Sequence, residues 1–191
     1  MKALAINGSP RPGGNTAILL RHVCAELENE GIATEMFQLG GRKVAGCIAC
    51  YKCFEAKNKR CAVTDDAVND CIAKMDQADV ILIGSPTYFA DCTAATKALM
   101  ERAGFVARAN GDMFKRKIGA AVVAVRRAGA MHAFDSINHL FAITQMIVAG
   151  SNYWNIGIGR EIGEVAKDQE GVLTMRTLGQ NIAWVLKKIS A

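Results

Sequence analysis

The sequence predicts an α/β doubly wound fold, a five-stranded parallel sheet between two helical layers in a three-layer sandwich. Three observations carry that expectation. Short apolar runs alternate with segments of helical periodicity from one end of the chain to the other. The third and fourth runs, "DVILIG" and "KIGAAVVAV", are continuously apolar, as strands buried on both faces are. Parallel neighbours also need crossovers, and the helical segments between the runs supply them.

The elements follow in order. "KALAI" (Lys2–Ile6) reads as a short buried strand. The helix after it carries Leu20, Val23, Cys24 and Leu27 on one face and is closed by Gly31. "TEMFQL" (Thr34–Leu39) is the second strand, and a cysteine-rich loop at 44–64 follows. Asp65 or Asp66 is placed to cap a helix with Val68, Cys71, Ile72 and Met75 on one face. The third strand spans Asp79–Gly84 and the next helix is "TAATKALMERAG". The fourth strand spans Lys117–Val125, and a helix runs over Met131–Thr144. "MIVAGSNYW" supplies the fifth strand, and Leu173–Ile189 closes the fold with Leu178, Ile182 and Val185 facing inward.

At 191 residues, 51% apolar and 21% charged, the chain (1–191) is expected to be one globular domain. No apolar run is long enough to span a bilayer, and the first strand is too short for a signal-peptide core. A cytoplasmic location without a membrane partner is therefore expected. There a dense cysteine cluster points to metal or catalysis rather than to disulfides. The net charge of +5 is spread along the chain with no basic arm, so no nucleic-acid partner is expected. His22, His132 and His139 form no spaced set, and hydrolytic constellations are missing.

Two loops carry ligand chemistry. The first strand runs into "NGSPRPGGNT" (Asn7–Thr16), where Gly8, Gly13 and Gly14 let the backbone approach a ligand. Ser9, Asn15 and Thr16 offer donors, Arg11 a charge-assisted contact, and the helix start its free N–H groups. Neither G-x-G-x-x-G nor the Walker pattern is present, which argues for a mononucleotide phosphate held without a Walker lysine. An ordinary strand–turn–helix connection would look similar. The second loop, "GSPTYFADCT" (Gly84–Thr93), sets Pro86, Thr87, Tyr88 and Phe89 at a strand's carboxyl end, where open α/β sheets bind ligands. Its rings suit a flat heteroaromatic ligand, and they would equally suit a core.

The cysteines follow C-x2-C-x2-C-x7-C: Cys47, Cys50, Cys53 and Cys61. Zinc is usually gripped by two separated C-x2-C knuckles. Three thiols at gaps of two with a fourth close behind is the habit of cubane clusters. The order of preference is a [4Fe–4S] cluster, then a cluster-free thiol or disulfide role, then zinc. Lys52, Lys57, Lys59 and Arg60 surround the thiols and would offset negative charge. Cys24 and Cys71 lie on apolar helix faces as core thiols, and Cys92 starts a helix beside the second loop.

"GSPRPGGNT", "GSPTYF" and the spacing between them resemble the flavodoxin-like, NADPH-dependent FMN reductases. The cysteine motif with its following Asp-Asp resembles the iron–sulfur flavoprotein branch. The resemblance covers essentially the whole chain. It implies a flavodoxin-like fold, FMN phosphate held by Ser9, Arg11, Asn15 and Thr16, and Pro86, Thr87, Tyr88 and Phe89 along the isoalloxazine. In these relatives the loop after the fourth strand is often glycine-rich. Here it reads "VRRAGAM", with Arg126, Arg127 and one Gly129. An arginine at the pyrimidine edge would stabilise an anionic reduced flavin, and both arginines could equally be solvated.

Further expectations follow from the resemblance. NAD(P)H or a reduced carrier such as ferredoxin would donate electrons, and a small molecule or a protein would accept them. A carrier between proteins without NAD(P)H turnover, a reductase without a cluster, and a weaker sensor reading stay open. A homodimer or homotetramer is implied, with Tyr153 and Trp154 either over a neighbour's flavin or in the chain's own core.

Overall fold

The structure, a computed structural model, describes residues 1–190. In chain order it forms β1 (Lys2–Asn7), α1 (Asn15–Asn29), β2 (Ala33–Gln38), α2 (Lys52–Ala56), α3 (Val68–Gln77), β3 (Val80–Pro86), α4 (Ala94–Ala109) and β4 (Ile118–Val125). Then come α5 (Ala130–Ile143), β5 (Ile147–Val148), β6 (Ile156–Ile158), a 3-10 turn (Glu164–Lys167) and α6 (Gln169–Ile189). The strands pair parallel in the order β2-β1-β3-β4-β5, with β6 also on β4. Ala5 lies opposite Met36 on one side and Leu82 on the other. The order steps outward in both directions from β1 and β3, so the chain reverses there and leaves a crevice at their carboxyl ends.

Alternate residues of each strand serve two cores. Ala3, Ala5, Leu82 and Val122 meet α1 and α6 through Leu19, Leu20, Val23, Leu178 and Ile182. Leu4, Ile6, Ile81, Ile83 and Val123 meet α3, α4 and α5 through Ile72, Leu99, Ile137 and Phe141. Continuous burial of β4 follows, and its eight residues are all buried. Gly31, at φ +77°, closes α1 in the left-handed conformation that a Cβ would strain. Asp66 accepts from the N–H of Val68 at the start of α3, while Asp65 pairs with Lys43 at the surface. Among the described residues no helix is long and apolar enough to cross a membrane.

The fifth strand departs from expectation. "MIVAGSNYW" was expected as one strand, but only Ile147 and Val148 pair, opposite Ile118 and Gly119. The chain then leaves the sheet: Ser151 Oγ lies within hydrogen-bond distance of the Tyr153 carbonyl and of the Asn155 side-chain amide, closing a local turn. It returns as β6, where Ile156 lies opposite Val123. A helical segment of five residues, α2, also forms inside the cysteine loop.

Candidate functional site

A cleft of about 230 Å³ opens at the carboxyl ends of β1, β3 and β4. Ser9, Arg11, Asn15 and Thr16 line one wall, and Pro86, Thr87, Tyr88 and Arg126 the other, with Ala124, Val125, Gly159 and Arg160 completing it. The first loop is braced by its own hydrogen bonds. Asn7 Oδ1 accepts from the Ser9 N–H at 3.1 Å, and Gln38 Nε2 donates to the carbonyls of Ser9 and Gly40 at 2.7 Å each. The Ser9 hydroxyl accepts from the Arg11 N–H at 3.2 Å. Gly40 presses so closely that a Cβ there would lie 2.3 Å from the Ser9 carbonyl carbon.

No side chain caps the start of α1, so its first N–H groups stay open and carry the positive end of the helix dipole. Thr16 Oγ1 is buried with no hydrogen-bond partner. A buried hydroxyl without a partner costs free energy unless a ligand completes it. An uncapped helix start, an orphan hydroxyl and the Arg11 side chain on the same cleft together fit an anionic group such as a phosphate.

Asn15 lines the cleft with its amide already engaged inside the protein. Its Nδ2 donates to the carbonyls of Gly159 and Glu161, at 3.0 and 2.9 Å, and its Oδ1 accepts from the N–H groups of Gly163 and Val165. The amide is spent on pinning the connection after β6 over the cleft, which leaves its backbone N–H to face a ligand. Phe89, Arg127 and Gly129, unlike Asn15, do not line the cleft. Tyr88 and Asp91 exchange backbone hydrogen bonds at 2.8 and 3.0 Å, with Phe89 and Ala90 both at positive φ between them. That tight turn throws the Phe89 ring fully into solvent. Gly129, at φ +84°, lets the turn before α5 pack against Ala90, where a Cβ would lie 3.1 Å from the Ala90 Cα. Arg127 is exposed. Tyr153 and Trp154 stack edge-on at 4.6 Å and stay exposed, which excludes the core reading for them.

Away from the sheet, Cys47, Cys50, Cys53 and Cys61 all line one hollow, against Arg102, Phe105 and Val106 of α4. Ala49, Tyr51, Lys57 and Lys59 take left-handed backbone conformations, the sharp bends that fold so short a segment around a centre. Burial, and then the neighbouring Cys61 and Cys50 sulfurs, push the Cys53 thiol above its usual range. Cys24, Cys71 and Cys92 are buried elsewhere, as core thiols.

The loop is held by residues that sequence reasoning did not single out. Asn69 of α3 clasps the Cys61 backbone, accepting its N–H at 2.8 Å and donating to its carbonyl at 3.0 Å. Glu101 accepts from the Cys47 N–H at 3.3 Å. Arg102 and Asp66 form an ion pair with both side chains fully buried. Burial alone would raise the Asp66 carboxyl, but bonds from Arg102 and the N–H groups of Ala45 and Val68 hold it below the usual aspartate range. One signal for Arg102 was present: it stands on the apolar face of α4, between Leu99 and Val106.

Among the described residues, no three His, Cys, Asp or Glu side chains converge on a point where one metal ion would sit. Four thiols line one hollow with no carboxylate or imidazole on its wall, a soft donor set of the kind that zinc and iron–sulfur centres both take.

Solved structures share the fold. RosB with a bound 8-demethyl-8-formylriboflavin-5'-phosphate superposes with a TM-score of 0.76, covering 100% of this chain and 80% of that one at 18% identity. A WrbA-like flavodoxin of Agrobacterium tumefaciens gives 0.67, covering 98% of each at 14% identity. These likenesses show a flavodoxin-like fold. The profile of the NADPH-dependent FMN reductases matches residues 1–161, and the chain belongs to that family. An iron-sulfur flavoprotein of Methanocaldococcus jannaschii is 37% identical over 99% of both chains. Another from Methanosarcina thermophila is 31% identical over 99% of this chain and 97% of its own. Family and relatives together support an FMN-based oxidoreductase or electron-transfer role.

Proposed function

We propose that this protein binds FMN in the cleft and acts as an oxidoreductase. It takes electrons from NAD(P)H or a reduced carrier and passes them to a small-molecule or protein acceptor, through a [4Fe–4S] cluster held by Cys47, Cys50, Cys53 and Cys61. One observation carries the reading. The same chain walls an anion-receptive cleft at the sheet's carboxyl edge and gathers all four thiols of the motif around a second hollow.

The bound flavin supplies the exchange between two-electron donors and one-electron acceptors. The chain supplies position and potential. The open N–H groups of α1, Ser9, Thr16 and Arg11 would hold the phosphate, and Pro86, Thr87 and Tyr88 would meet the ring. Arg126 and Arg160 bring positive potential to the cleft and favour the more negative, reduced cofactor.

Purification without air, followed by FMN, iron and sulfide assays per chain, tests this. The expected result is one FMN with iron and sulfide in near-equal amounts. FMN without iron or sulfide removes the cluster, and no FMN binding removes the whole reading. A carrier role is favoured by the exposed apolar rim of the hollow, where Ile48 is 67% and Tyr51 57% exposed. Stopped-flow mixing with NADPH or NADH decides between the two: rapid flavin bleaching marks the enzyme, while bleaching only by reduced ferredoxin marks the carrier. The exposed Tyr153 and Trp154 support an assembly of copies, which sedimentation would size.

A further inference from the structure

A charged residue is rarely buried completely unless it is paired, and Arg102 is 1% exposed in the middle of α4. All of its bonds go to the two ends of the cysteine loop. Nη1 donates to the Ala45 carbonyl at 3.0 Å and to Asp66, Nη2 to the Val63 carbonyl at 2.7 Å. Nε donates to the Cys61 sulfur at 3.2 Å. A fork that only stapled the loop would have no need of the sulfur, since the backbone of Cys61 is already clasped by Asn69.

We propose that Arg102 is a positioning residue of the thiol site: its Nε–H fixes the orientation of the Cys61 sulfur, and its buried charge makes the site easier to reduce. This inference rests on the cluster reading above and adds what sets the cluster's potential. Two physical effects act in the same direction. An N–H···S bond withdraws charge from a ligating sulfur, and hydrogen bonds to sulfur are among the determinants of cluster potential. A fixed cation out of water, with little screening, favours the state that carries one more negative charge. Asp66 partly offsets that cation. Even so, the guanidinium faces the sulfur directly, while the carboxylate is bound on its other branch and to the N–H groups of Ala45 and Val68. The step concerned is the gain of one electron by the site, with no bond made or broken.

The test uses anaerobically purified holoprotein, titrated with dithionite and mediator dyes while the cluster and FMN couples are followed in one sample. Arg102→Lys keeps a cation beside Asp66 but cannot span Cys61, Ala45 and Val63 together. Arg102→Met combined with Asp66→Asn leaves no charge buried, and the Asn oxygen keeps one of the two backbone bonds that Asp66 accepts, from Ala45 at Oδ2 and from Val68 at Oδ1. Both variants are expected to keep FMN with its couple unmoved and to titrate at lower cluster potential. In the double variant the one-electron equilibrium should fall at least tenfold, about 59 mV. Arg102→Lys should shift less, and the iron–sulfur stretches of its resonance Raman spectrum should move as the N–H···S bond is lost. An unshifted cluster potential in either loaded variant overturns the proposal. Wild-type protein that binds FMN but no iron or sulfide overturns the cluster reading itself, a different and separately visible failure. If the double variant loses iron, Arg102→Lys alone decides.

Discussion

The two candidate sites are built by different physics. The cleft lies where a doubly wound sheet leaves a crevice, and its receptive groups are mostly backbone: the open start of α1, the glycine approaches, the strand ends. The cysteine loop lies outside the sheet and has no ladder to hold it. Side chains hold it instead, through a buried ion pair, an Asn clasp and a Glu acceptor. The first site therefore depends largely on close backbone approaches that a Cβ would block, and the second on side chains. Mutations should separate the two.

The largest effect should come from Asp66→Ala. It strands Arg102 as a buried charge without its partner, and breaking such a pair from one side costs about 3–5 kcal/mol. Chemical denaturation should show that loss together with loss of iron and sulfide. FMN affinity in the folded fraction should stay within about twofold, because no atom of the cleft depends on Asp66. Iron retained at wild-type level would show that the pair does not hold the loop.

The converse break is Gly40→Ala. Its Cβ would meet the Ser9 and Gly8 backbones at 2.3 to 2.5 Å, and backbone cannot swing aside as a side chain can. Overpacking of this kind costs about 1–3 kcal/mol. Because the strain enters the phosphate loop, FMN should bind at least about tenfold more weakly while iron content is unchanged. Flavin fluorescence quenching reads the first and a colorimetric iron assay the second. Equal affinity would mean that the loop is not the phosphate site.

This division also explains what was legible beforehand. Strands β1, β3 and β4 were visible as apolar runs because burial on both faces leaves no other composition, whereas the edge strand β2 buries only Phe37; the cleft followed from the loops that leave β1 and β3. The break in the fifth strand was signalled by the turn residues Gly150, Ser151 and Asn152 but passed over, since apolar residues flank them on both sides. Asn15 had the right chemistry for a ligand, but its partners stand about 150 positions away, out of reach of any local reading. The four thiols were legible from spacing alone. Their supports were not, because Arg102, Asn69 and Glu101 reach the loop only through packing of α3 and α4. A lone arginine on the apolar face of α4 was the one clue.

A smaller effect distinguishes ligand binding from folding within the cleft. Thr16→Val removes a hydroxyl that has no partner in the protein and fills the same space with a methyl group. Without ligand the variant should be as stable as the wild type or more so, since removing an unpaired buried polar atom stabilises. FMN should bind about tenfold more weakly, the value of one lost hydrogen bond at about 1–1.5 kcal/mol. A stability loss above about 1 kcal/mol would mean that the hydroxyl serves the fold rather than the ligand.

The smallest effect tests whether burial, rather than charge, makes the Asp66–Arg102 pair matter. Glu35 on β2 binds Lys2 at 2.8 Å and also pairs with Lys74 of α3, the helix whose start Asp66 caps, but its side chain is 31% exposed. The bonds from Lys2 and then Lys74 hold its carboxyl below the usual glutamate value near 4.5. A carboxylate depressed in the folded state adds stability above its unfolded value, and that stability is lost as the pH falls through the folded one. Denaturation midpoints of wild type and Glu35→Gln should therefore differ at pH 7 and converge as the pH falls through the lowered folded value. The gap at pH 7 should stay under about 1 kcal/mol and shrink in high salt, because water and ions screen an exposed pair. Iron, sulfide and FMN contents should not change. A gap as large as that of Asp66→Ala would show that charge pairing alone, without burial, holds this side of the fold, and the contrast between the two sites would fail.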